Sequence, residues 1–143
     1  MKCFYHSTDL DGHCSGAIVK YRYPECEMIG INYGQEFPWD SIQPDEQVFM
    51  VDFTLQPFEG MERLNNLCNL HWIDHHKTEV EEAHKRGFIA SGGQFLVIGT
   101  GACSLTWQYL SEVRGIPLAI GLLASYHVLA STQPSGTIPE ATP

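Results

Sequence analysis

Three short segments run apolar for several consecutive residues and then turn polar at once: KCFYHSTDLDG at 2–12, QVFMVDFT at 47–54 and NLHWIDHH at 69–76. Strands with one wet face alternate apolar and polar residues, whereas consecutive apolar residues indicate strands covered on both faces. Between them lie stretches of helical spacing, such as Cys14, Ala17, Ile18 and Tyr21, which end at Pro24. Buried strand alternating with helix restricts the chain to an α/β fold, a parallel β-sheet with helices on both faces.

The remaining elements follow the same rule. Residues 2–6 predict the first strand, 11–23 a helix, 26–33 the second strand and 47–54 the third. A proline opens a short helix over 57–66, and 69–76 is the fourth strand. The charged stretch 77–87 predicts a solvated helix ending at Gly87, followed by an edge strand over 87–93. Two further helices are expected over 101–115 and 116–130. The last 13 residues carry three prolines and no base, so 131–143 reads as a flexible tail after a single domain of residues 1–130.

Charge and cysteine usage exclude several function classes. Seventeen acids against eight lysines and arginines give a formal charge of −9, a poor match for duplex DNA held by a basic surface. Five scattered cysteines, none in a CxxC pair, argue for reduced thiols in a cytoplasm and against a thiolate zinc site. The N-terminus has no signal-peptide core. The longest apolar run, IPLAIGLLASYHVLA, is shorter than the roughly 20 residues a bilayer requires, so no membrane partner is expected.

The acids stand at a particular place. Asp9 and Asp11 follow the first strand, Asp52 ends the third, and Asp74-His75-His76 ends the fourth. Ligands of open parallel sheets sit outside the carboxyl ends of the strands. Carboxylates and imidazoles converging there repel unless divalent cations neutralise them, and an oxygen-rich set with imidazole suits manganese or magnesium. An extended DLD segment is expected here, with Asp9 and Asp11 each serving a different ion and Asp52 between them. The plain alternative for this pair is a helix cap plus a turn residue, and one of the two is expected to cap the following helix. Gly12 and Gly16 would let that helix start close to the site. The glycine-rich GTGACS stretch before a later helix reads as a plain loop or as a holder of a substrate phosphate.

HSTDLDGHCSG, VDF and WIDHH, in this order and spacing, resemble the DHH family of phosphoesterases over about residues 2–128. The resemblance implies a hydrolase, a manganese-dependent phosphoesterase or phosphodiesterase. It would cleave phosphomono- or phosphodiester bonds of small nucleotides or short single-stranded oligonucleotides through a water activated by two Mn2+ (or Mg2+). It also implies roles. Asp9 would bind the first metal, Asp11 and His75 the second, and Asp52 both, and His6 resembles a first-motif histidine that binds metal in some members. His76 would contact the scissile phosphate, and Asp74 would orient the histidines.

The chain departs from the family in two respects. His127 stands where the family carries a fourth acid, which makes it a candidate additional ligand, and no counterpart of the family's second domain follows residue 130. A homo-oligomer could supply the missing surface. A truncated, non-catalytic metal- or nucleotide-binding module, or a partner subunit, is the alternative function.

Overall fold

The computed structural model describes residues 1–114. Five strands, β1 (Lys2–His6), β2 (Glu27–Ile31), β3 (Gln47–Val51), β4 (Asn69–Asp74) and β5 (Gly93–Leu96), form one sheet in the order β2-β1-β3-β4-β5. Every pairing is parallel. Helices α1 (Leu10–Arg22), α2 (Glu59–Leu67), α3 (Lys77–Arg86) and α4 (Ala102–Arg114) connect or follow them. The expected helix over 116–130, His127 and the tail 131–143 lie outside the described residues.

The consecutive apolar residues of the strands divide between two cores. Phe4, Val48, Met50, Leu70 and Trp72 face one side, where Met61 and Leu64 of α2 and Ala83 of α3 cover them. Cys3, Phe49, Val51 and Ile73 face the other, under Ile18 and Val19 of α1 and Leu105 and Leu110 of α4. Adjacent residues such as Phe49 and Met50 therefore bury into opposite layers, which is why these strands cannot alternate in polarity.

The strand order places a switch point at the centre. The chain leaves β1 toward β2 on one side and returns across it to β3 on the other. A crevice opens outside the carboxyl ends of β1 and β3, and both strands end in the acidic segments identified in the sequence.

Two expectations are corrected. The fifth strand occupies Gly93–Leu96 rather than 87–93. Phe88 and Ala90 instead pack into the core as loop residues. The Gly93 amide donates to Ala90 in a turn, and Gly93 takes φ +124°, so this glycine starts the strand rather than ending it. The DLD segment is also not extended. Asp9 is the N-cap of α1, its side chain accepting from the Gly12 amide, and Asp11 already lies in the first helical turn.

Candidate metal centre

His6 is the last residue of β1 and is 8% exposed. Its Nδ1 lies 3.4 Å from Asp9 Oδ2 and 3.7 Å from Asp52 Oδ2. Its Nε2 is 3.3 Å from Asn32 Oδ1, just past the end of β2, which fixes the ring's orientation. The close approach of α1 to this histidine depends on Gly12, where a Cβ would overlap the His6 carbonyl oxygen and lie 2.8 Å from the His6 Cβ.

Asp52 follows β3 and is fully buried, with its amide bonded to the Ile73 carbonyl at 2.9 Å. Its backbone takes φ +56°, a left-handed conformation that aspartate tolerates better than most residues. Oδ1 lies 3.1 Å from His75 Nε2 and 4.0 Å from His76 Nδ1. These approaches are contacts of charge without hydrogen-bond alignment, and both carboxylate oxygens end with no donor, as does His6 Nδ1. Burial pushes the Asp52 carboxyl up to about 6, against the pull of His75 and with the help of Asp11, Asp9 and Asp74.

Asp74 closes β4 and is also fully buried, but it is fully partnered. It accepts from Thr54 Oγ1 at 2.7 Å, from the amides of His75 and His76 at 2.7 and 3.1 Å, and from His76 Nδ1 at 2.7 Å. Burial works against its charge, yet these donors, His76 foremost, hold its carboxyl below the usual range. Asp74 in turn raises the His76 imidazole to about 9. His75 is raised chiefly by the adjoining Asp52 carboxylate.

Asp11 sits beside this group with Oδ2 3.5 Å from His75 Nε2. Both of its oxygens also cap α4, accepting from the amides of Ala102 at 2.8 Å and Cys103 at 2.7 Å. The glycine-rich turn before α4 thus presents its free amides to a carboxylate of the chain itself, where the helix dipole favours one.

The structure therefore brings His6, Asp9, Asp11, Asp52, Asp74, His75 and His76 to one rim. Among the described residues two sets of potential ligands stand out, His6–Asp9–Asp52 and Asp52–His75–His76, each with its ligand atoms within 4.8 Å of one another. Asp52 belongs to both. Asp11 is near the second set but not within it, because the helical turn and the α4 cap hold it back. A divalent cation fits this donor set: hard oxygens and imidazole nitrogens converge, and the orphaned atoms are the ones facing each other. Sequence reasoning missed Thr54 and Asn32, single polar residues just past strand ends whose partners come from distant segments.

No family model and no curated protein matches the chain. A solved structure of an uncharacterised protein from Helicobacter pylori G27 is similar, with a TM-score of 0.60 at 19% sequence identity. The match covers 78% of this chain and 35% of that one, so the chain spans about a third of that protein's length. Among the described residues no helix is long and apolar enough to cross a membrane. The likeness in structure shows a shared α/β parallel-sheet fold.

Proposed function

We propose that this chain is a manganese- or magnesium-dependent phosphoesterase domain of the DHH type, hydrolysing phosphomono- or phosphodiester bonds of small nucleotides or short single-stranded oligonucleotides. The observation that carries this reading is Asp52: fully buried, with both oxygens unsatisfied, in a left-handed conformation, and common to two ligand sets. A buried carboxylate that accepts no aligned hydrogen bond is costly, and buried charges are paired or coordinate metals.

His6, Asp9 and Asp52 would hold one ion; Asp52 and His75, with Asp11 alongside, would hold the second. Such a pair supplies Lewis-acid charge that binds a phosphate and activates a water. The residues of the chain do the rest. Asn32 fixes the His6 ring, and Asp74 occupies Nδ1 of His76. His76 is then left to present Nε2 to a phosphate oxygen or leaving group, and its raised proton affinity suits a donor at that atom. The fully buried Asp74 acts through the two histidines as a positioning residue.

The test is hydrolysis of bis-nitrophenyl phosphate and of a dinucleotide with and without manganese, comparing the parent with Asp52→Asn. Manganese-dependent turnover that disappears in the variant supports the reading. Metal binding without turnover in the parent would identify the chain as a non-catalytic module or partner subunit instead.

A further inference from the structure

We propose that the cavity beside the metal centre is a nucleobase subsite, which assigns the substrate's base to this chain; the inference rests on the phosphoesterase reading and names the part of the substrate that lies beyond the phosphate. The cavity has a volume of about 350 Å³ and opens between the segment after β2 and the start of α2. That is at the small end of the range for small-molecule clefts, enough for one nucleoside.

The cavity shares a wall with the proposed metal site. Tyr33 packs on Phe53 with ring centroids 4.5 Å apart, and its edge meets the His6 ring at 5.6 Å. A phosphate held at His6, Asp9 and Asp52 therefore has this aromatic wall as its neighbour, and a sugar would carry the attached base into the cavity.

The lining is chemically suited to a planar heteroaromatic ring. Tyr33 remains 43% exposed although Phe53 covers part of it, which leaves phenol surface open to stacking. Opposite in sequence, on α2, the Arg63 guanidinium lies 3.9 Å over the Trp39 ring, itself packed edge-on against Phe37 at 4.6 Å. Guanidinium planes and aromatic faces are the surfaces on which unpaired bases stack.

Arg63 also differs from its neighbour on the same face of the protein. Arg86 is paired with Glu59, Glu62 and Glu82, whereas Arg63 has no carboxylate partner among the described residues. A cation left unpaired in a chain this acidic is available to a ligand. The polar edge of a base would meet amides: Asn32 and Gln35 each have their carbonyl oxygen engaged by a backbone amide, which leaves their NH2 groups free to donate, and Gln56 joins them at the rim. A purely apolar ligand would leave these groups unpaired, and a polar non-aromatic one would forgo the stacking surfaces.

Trp39 supplies the readout, since Trp72 is fully buried and Trp107 is 8% exposed, whereas Trp39 lines the cavity. Adenosine and uridine are titrated into the protein in excess chelator, following tryptophan fluorescence, with ribose as the control. A saturable change in the millimolar range with a nucleoside and none with ribose is expected. Arg63→Gln and Tyr33→Leu should each weaken it roughly tenfold to a hundredfold, with thermal melting confirming that both variants fold. No saturable response, or equal affinity in both folded variants, overturns the subsite. A manganese titration of the same protein separates the two readings. Nucleoside binding without manganese binding leaves the subsite standing and removes the phosphoesterase, and manganese binding without nucleoside binding does the reverse.

Discussion

Replacing Asp52 by asparagine should stabilise the metal-free protein and remove its response to metal. Burial moves the Asp52 carboxyl from its ordinary 3.8 to about 6. At about 1.4 kcal/mol per pH unit, the charged form costs the fold roughly 3 kcal/mol. Because the folded-state value lies above the unfolded one, the cost is absent below pH 4 and grows as pH rises to 6, above which it is constant. The opposing effect of His75 is already contained in that value. Asparagine removes the charge and tolerates the φ of +56°, but its amide brings its own burial cost, so a net gain of about 1–3 kcal/mol is expected. For a chain of this size that is about 3–10 °C in melting temperature. Manganese at a hundredfold excess over its dissociation constant adds about 2.7 kcal/mol to the parent for each ion bound. Thermal melts at pH 8 should therefore rank Asp52→Asn above the parent in chelator, and only the parent should shift on adding manganese. A variant that melts below the parent in chelator, together with a parent that ignores manganese, would refute the reasoning.

Manganese affinity should rise with pH between 5.5 and 7.5, because protons compete for Asp52, at about 6, and for His75, which is raised; calorimetry at the two pH values would contradict this if the affinities were equal. Gly12→Ala forces α1 away from the His6 carbonyl and should cost at least about 2 kcal/mol by denaturant melt, whereas a loss within about 0.5 kcal/mol would show that the helix moves freely. Thr54→Val removes the hydroxyl that donates to buried Asp74 at 2.7 Å and should cost about 1.5–3 kcal/mol, with a melt indistinguishable from the parent counting against Asp74 being charged.

The layered sheet was legible because its cause is local: Phe49 and Met50 are both apolar since each faces a helix layer. The acidic strand ends were legible for a related reason, because Asp52 and Asp74 interrupt apolar runs where the rim of the sheet must lie. What could not be read depends on contacts between distant segments. Nothing near Asp11 announces that it caps α4, since its partners Ala102 and Cys103 lie some ninety residues on. The same holds for Thr54 on Asp74 and Asn32 on His6. The fifth strand starts six residues later than the sequence predicts, because Gly93 begins the strand rather than ending it. A Cβ at Gly92 would lie 2.7 Å from the His71 ring and 2.8 Å from the Leu70 carbonyl oxygen, a crowding that only the folded sheet creates.

The most direct test of the account is a count of bound ions. Equilibrium titration of the parent with manganese should give two ions per chain, both lost or severely weakened in Asp52→Asn, since that carboxylate belongs to both ligand sets. Two ions retained at unchanged affinity in the variant, or no ion bound by the parent, would contradict it.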